Sequence, residues 1–224
     1  MAGTLHVVST PIGNLGDLSP RAQEILSSVA VVACEDTRHT GRLLARCGIA
    51  NRLVSLHEHN EKRRLPALIA RLEAGEDVAL VSDAGTPLLS DPGFLLVREA
   101  VRRELKVVSV PGPSAALAAL VVSGLPPYPF TFLGFPPRKS GKRRKFYAAL
   151  AALGHTGIVY ESPHRLLASL ADAIEELGER PIVVARELTK LHEEALHGTA
   201  SEILAELSER PALKGEFVIV VGGS

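Results

Sequence analysis

The densest set of reactive side chains in the chain is Glu35, Asp36, Thr37, Arg38 and His39, within CEDTRHT. Two carboxylates, a hydroxyl, a guanidinium and an imidazole directly follow the apolar run Val29 to Cys34. That run reads as a strand, and strand ends are where α/β proteins gather catalytic groups. The same residues also read as a helix start, with Asp36 or Thr37 as cap and Arg38 paired to an acid. A second set is VSDAGTPLLSDPG, Val81 to Gly93, with its echo VPGPSA, Val110 to Ala115. Glycine there lets backbone approach a ligand, proline stiffens the loop, and Ser and Asp supply hydrogen-bonding groups. His57 and His59, two residues apart, would face one way on a strand, but no third metal ligand accompanies them. No metal site is expected. Asn60 reads as the cap of a charged helix, Glu61 to Ala74.

These groups need elements to carry them. Thr4 to Ser9 reads as a first strand feeding a Gly/Pro loop, Thr10 to Pro20, with Ser19 and Pro20 as cap and first turn of a helix. Arg52 to Leu56 reads as a short strand. Asp77 to Val81 and Lys106 to Val110 read as neighbouring central strands of a parallel sheet, buried on both faces. Asp91 and Pro92 are expected to start a helix through Arg103. Pro113 is expected to start another, Ser114 to Ser123, whose Ala/Leu/Val content predicts burial. The strand-end loops would line the crevice where open α/β sheets bind ligands.

The segment Gly124 to Pro129 is the expected boundary between two domains, 1–124 and 125–224. Beyond it, strands are read at Phe130 to Gly134, Gly157 to Glu161, Pro181 to Ala185, His192 to Gly198 and Glu216 to Val221. Their hairpin-like pattern predicts a mixed sheet, unlike the parallel first half. Six of the eight residues from Arg138 to Lys145 are basic: Arg138, Lys139, Lys142, Arg143, Arg144 and Lys145. Such a loop suits phosphates, with salt-dependent binding, and it also reads as a solvated helix start.

Composition narrows the class. Of 224 residues, 46% are hydrophobic, and 25 basic side chains balance 25 acidic ones, so global charge predicts no nucleic-acid binding. Cys34 and Cys47 are too few for a disulfide framework, which favours a reducing compartment. No apolar run reaches the roughly 18 residues of a membrane span. The opening MAGTLHVVSTP lacks a basic leader region. A cytoplasmic protein without membrane or metal partners is expected.

TPIGNLGDLSPRA, CEDTRHT, SLHEHNE, VSDAGTPLLSDPG, VPGPSA, LGFPPRK, YESPHR and ARELTKLHEE together resemble the ribosomal RNA small-subunit methyltransferase I family. That family belongs to the tetrapyrrole methylase superfamily. The resemblance implies a two-domain α/β fold of the tetrapyrrole methylase (class III methyltransferase) type, with S-adenosyl-L-methionine in the cleft between the domains, and a homodimer. It implies 2′-O-methylation of a cytidine ribose in 16S rRNA of the small ribosomal subunit. By the superfamily pattern, Pro11, Ala84, Gly85, Thr86, Leu89, Ser114 and Ala115 would meet the donor from the first domain, and Glu161, Ser162 and Leu188 from the second. Relatives in the superfamily carry an acid where this chain has Thr86, and Asp83 is the expected substitute. Many relatives also carry a further C-terminal helical segment, a source of RNA contacts expected to be lacking here.

Methyl transfer from a sulfonium is an in-line displacement, so acceptor positioning is central. A ribose hydroxyl is a weak acid and needs a base or a polarising cation. Glu35 is the expected base, with Arg38 and Lys190 as cationic partners, and His57, His59 and Asn60 on the acceptor side. Two other readings share the fold: a precorrin-type tetrapyrrole methyltransferase, and a non-catalytic ribosome assembly factor. The basic loop and the EDTR and HEHNE motifs favour the RNA enzyme.

Overall fold

The computed structural model describes residues 1–223. The chain forms two compact units, Met1–Ser114 and Ala115–Ser224.

The first unit contains Thr4–Val8 (β1), Pro20–Ser28 (α1), Val31–Cys34 (β2), Thr37–Arg46 (α2), Leu53–Ser55 (β3), Glu61–Glu73 (α3), Val78–Leu80 (β4), Phe94–Arg102 (α4) and Lys106–Val110 (β5). The strands form one parallel sheet in the order β3-β2-β4-β1-β5. Because successive side chains on a strand point to opposite faces, the apolar runs feed two cores. Val31, Ala33, Val78 and Leu80 pack against Leu68, Ile69 and Leu72 of α3 and Leu96 of α4. Val32, Cys34, Ala79 and Val81 pack with Ala22 and Leu26 of α1 and Leu44 of α2. A layer of helices thus covers each face.

Two expectations change here. β4 is central and wholly buried, but β5 is an edge strand with Lys106 and Ser109 exposed, and β1 lies between the two. Their loops meet across β1's own loop. The helix expected from Asp91 begins instead at Phe94, after Gly93 in the left-handed region (φ 115°). The buried Glu61 carboxylate of α3 accepts from the Leu95 and Leu96 N–H groups at 2.8 and 3.3 Å, capping α4 from a neighbouring helix. Asp91 is thereby released from the capping role.

The second unit contains Ala115–Val122 (α5), Phe130–Phe132 (β6), Ser140–Ala151 (α6), Thr156–Glu161 (β7), Leu166–Leu177 (α7), Pro181–Arg186 (β8), Glu194–Thr199 (β9), Ala200–Ser208 (α8) and Phe217–Val221 (β10). Its sheet runs β6-β7-β10-β8-β9, with β6 parallel to β7 and the remaining pairs antiparallel. Leu150, Leu170, Leu177, Ile203 and Leu207 of α6, α7 and α8 build its core against Val159, Val184 and Ile219. The division falls before α5, where the sequence placed it after residue 124, because α5 packs on β7 and β10. Nor is α5 fully buried: Ala116, Ala119 and Leu120 are covered, while Leu117, Val121 and Val122 remain exposed.

No helix among the described residues is long and apolar enough to cross a membrane.

Candidate active site

At the carboxyl edge of the first sheet, three loops are tied into one platform. Thr10 and Gly85 exchange backbone hydrogen bonds at 2.9 and 3.0 Å, joining the loops after β1 and β4. Thr86 Oγ1 donates to the Pro113 carbonyl at 3.0 Å, and Ser9 Oγ donates to Thr86 Oγ1 at 3.2 Å, adding the loop after β5. Gly85 is required twice over. Its φ of 77° favours glycine, and a Cβ there would lie 3.3 Å from the Ile12 side chain. Gly112 is equally constrained, since its Cβ would fall 2.9 Å from that of Ser9. Leu88 and Ser90 also adopt positive φ, 76° and 75°, in the loop that carries Leu89 and Asp91. Such strain persists only where surrounding structure enforces it. Pro11 is half-buried on the platform, and Ala84 and Leu89 are exposed.

Beside the platform, β2 ends at Cys34 and its successors diverge in role. Asp36 caps α2, accepting from the Arg38 N–H at 2.8 Å, and pairs with the Arg38 guanidinium at 3.2 Å. That guanidinium holds the Asp36 carboxyl below the usual carboxylate range. The capping alternative is therefore what Asp36 and Arg38 do. Glu35 is half-buried, and its carboxylate makes no hydrogen bond or ion pair among the described residues. Burial pushes its pKa up, and the negative charges of Asp83 and Asp36 push the same way, while His57 opposes them. A carboxylate so placed is primed to take a proton. Burial likewise pushes the Cys34 thiol up, which leaves it without thiolate character.

Asp83, expected at the donor, accepts from the Asp36 N–H at 3.1 Å through its Oδ1. Asp91, whose Asp-Pro pair reads as a helix start, joins Glu35 and Asp83 electrostatically. Burial, then the charges of Glu35 and Asp83, push its carboxyl up to about 6. Asn60, expected to cap α3, makes no such bond. It is buried, its Oδ1 accepts from the His57 N–H at 2.9 Å, and its Nδ2 donates to the Ser55 carbonyl at 3.3 Å. His57 Nδ1 is a buried nitrogen without a partner, and its ring meets that of His59 edge-on at 6.0 Å. Among the described residues, no group of three or more His, Cys, Asp or Glu side chains is placed to hold a metal ion.

In the second unit, Glu161, Phe217 and Arg186 lie side by side in strand register. Glu161 is 2% exposed; its Oε1 accepts from the Ser162 N–H at 2.7 Å and from Arg165 at 2.6 Å, and its Oε2 has no partner. Leu188 is buried between Glu187 and Thr189, both at positive φ, and Thr189 Oγ1 is a second orphaned polar atom. Lys190 is committed to Glu187 at 2.8 Å and Glu216 at 3.2 Å.

The basic segment is not one surface. Arg138, Lys139, Lys142, Arg144 and Lys145 are exposed, although Arg144 pairs with Glu175 and Glu176 at 2.6 and 3.0 Å. Arg143 is buried at 5% exposure against Asp172, with Nε to Oδ2 at 2.7 Å. It is a core ion pair, so it drops out of the RNA-contact set.

This two-sheet fold is shared with known methylases. Diphthine synthase matches with a TM-score of 0.72 at 18% identity, covering 98% of this chain and 89% of its own. Uroporphyrin-III-C-methyltransferase from Thermus thermophilus matches at 0.65 and 23%, covering 98% and 94%. The family model for Tetrapyrrole (Corrin/Porphyrin) Methylases matches residues 4–204. Nearer in sequence are proteins named Ribosomal RNA small subunit methyltransferase I. That of Xylella fastidiosa is 54% identical over 99% of this chain and 82% of its own length. That of Escherichia coli O157:H7 is 50% identical over 99% and 78%. The chain belongs to the ribosomal RNA small subunit methyltransferase I family, a branch of the tetrapyrrole methylases, and is a methyltransferase.

Proposed function

We propose that this methyltransferase transfers a methyl group from S-adenosyl-L-methionine to the 2′-oxygen of a cytidine ribose in 16S rRNA of the small ribosomal subunit, acting in the cytoplasm as a homodimer. The observation that carries the reading is Glu35: a half-buried carboxylate without a hydrogen-bond or ion-pair partner among the described residues, beside the platform that Thr10 and Gly85 tie together. The names of the relatives supply the acceptor class.

The platform fits the donor. Pro11, Ala84, Gly85, Thr86, Leu89, Ser114 and Ala115 would hold its methionine end, with Ala84 and Leu89 exposed on the platform. The resemblance assigns Glu161, Ser162 and Leu188 to the donor as well, and within the second unit Glu161 Oε2 has no partner. When bound, the sulfonium supplies an activated methyl group. The chain's own work is to orient the ribose and to accept its proton at the Glu35 carboxylate as the hydroxyl oxygen becomes nucleophilic. Arg38 is exposed and can meet a phosphate while capping with Asp36. Lys190, held by two acids, shapes its loop. Arg138, Lys139, Lys142 and Lys145 would meet further phosphates. The exposed apolar face of α5 suits a second copy.

Labelled donor offered to undermethylated 30S subunits tests this. Label on a cytidine 2′-oxygen with wild type, and its loss with Glu35→Gln, are expected. Wild-type protein that binds the donor yet labels nothing refutes the acceptor, and a fully active Glu35→Gln refutes the base.

A further inference from the structure

Among the described residues the Glu35 carboxylate has no hydrogen bond or ion pair to aim it, so its direction depends on the backbone on which it stands. That backbone is held in an unusual way. The β2 ladder ends with Leu56 N–H to the Cys34 carbonyl at 2.7 Å on one side and Val81 N–H to the Ala33 carbonyl at 2.9 Å on the other. One residue further on, side chains from the neighbouring strands take over. Ser55 Oγ, at the end of β3, donates to the Glu35 carbonyl at 3.4 Å. Asp83 Oδ1, in the loop after β4, accepts from the Asp36 N–H at 3.1 Å. The single peptide unit joining Glu35 to Asp36 is therefore gripped at its oxygen from one flank and at its nitrogen from the other. Ser55 is steadied in turn by Asn60, whose Nδ2 donates to its Oγ at 3.4 Å.

We propose that Asp83 is a positioning residue for the reaction, clamping the Glu35–Asp36 peptide together with Ser55 so that the Glu35 carboxylate meets the acceptor hydroxyl. This rests on Glu35 being the base. It moves Asp83 from the donor-contact role implied by the resemblance to the acceptor side. The clamp has an electrostatic consequence, because a carboxylate is a charged clamp. Asp83 faces Glu35 along with Asp36, Asp91 and His57; Asp83 and Asp36 disfavour Glu35 ionisation and His57 favours it, while Glu35 and Asp83 raise the Asp91 carboxyl. A neutral acceptor at position 83 would keep the grip and remove one of the opposing charges.

The test compares Asp83→Asn, Asp83→Ala, Ser55→Ala and Glu35→Gln on undermethylated 30S subunits, reading kcat against pH, KM for the subunit, and donor affinity. Asp83→Ala is expected to lose about tenfold or more in kcat, since the carboxylate loses its aim, with donor affinity within about twofold of wild type. Asp83→Asn should recover part of that loss and shift the ascending limb of the kcat profile to lower pH, because Glu35 then ionises more readily. Ser55→Ala should lower kcat without moving the limb. Wild-type kcat in Asp83→Ala beside an inactive Glu35→Gln overturns the clamp and leaves the base standing. An active Glu35→Gln overturns the base, and the clamp with it. A loss in Asp83→Ala that saturating donor restores returns Asp83 to the donor site.

Discussion

Arg143 stands in a run of six basic residues, and its replacement separates a stability effect from a binding effect. Its guanidinium donates through Nε to Asp172 Oδ2 at 2.7 Å, to the Arg138 carbonyl at 3.1 Å and to the Ala168 carbonyl at 3.3 Å. The two side chains are only 6% and 11% exposed. Arg143→Ala would leave the Asp172 carboxylate buried with one hydrogen bond, from Ser140 Oγ at 2.8 Å. Removing one partner of a buried pair costs about 3–5 kcal/mol, since the remaining charge stays desolvated. With a urea m-value of about 2 kcal/mol/M, the midpoint of the transition involving the second unit should fall by roughly 1.5–2.5 M. The control is Lys142→Ala with Lys145→Ala, both exposed, which should move stability by no more than about 0.5 kcal/mol. That control should weaken RNA binding and flatten its dependence on salt, while Arg143→Ala, assayed below its unfolding transition, should keep the wild-type salt slope. A wild-type urea midpoint in Arg143→Ala, together with a flattened salt slope, would refute the assignment and make Arg143 a phosphate contact.

Two further outcomes concern the first unit. Asp91 has its carboxyl raised to about 6 from an ordinary value near 3.8. The folded state therefore holds a proton that the unfolded state releases, and stability is lost as pH rises from about 4 to about 6, by on the order of 1–2 kcal/mol once solvent screening of the half-exposed carboxyl reduces the full linkage value of about 3 kcal/mol. Asp91→Asn should reduce that slope, leaving the part that Glu35 contributes, in urea titrations at a series of pH values, and an unchanged slope would place the proton elsewhere. Glu61→Ala should expose the Leu95 and Leu96 amides, costing about 1–2 kcal/mol as other lost helix caps do. Accelerated hydrogen exchange confined to the first turn of α4 is the readout, and wild-type exchange there would remove Glu61 from the capping role.

How much of this was readable in the residues depends on the distance over which each interaction acts. The parallel first sheet, the mixed second sheet and the Ser19 cap, which accepts from the Ala22 N–H at 3.1 Å, follow from apolar runs and from signals within a few residues. The same local grammar misled wherever a distant partner took over. Asp-Pro at 91–92 has the form of a helix start, yet Glu61 performs that task from α3, and no spacing rule reaches across 34 residues. Asn60 has the form of a cap, yet it turns back to His57 and Ser55. Lys106 to Val110 has the apolar content of a central strand, but strand order depends on crossovers that composition does not encode. Arg143 differs in kind, because its signal was present. Arg143, Tyr147 and Leu150 recur at the spacing of one helical face, and all three are buried. A charge on an apolar stripe implies a buried partner, and Asp172, buried on α7, supplies it. Counting six basic residues as one patch overlooks that helical periodicity sorts the four within α6 into one inward residue, Arg143, and three outward ones, Lys142, Arg144 and Lys145. The platform at the sheet edge combines both lessons. Its glycines and prolines were legible one loop at a time, while the clamp on the Glu35–Asp36 peptide draws on β2, the end of β3 and the loop after β4, and exists only once the sheet has brought the three together.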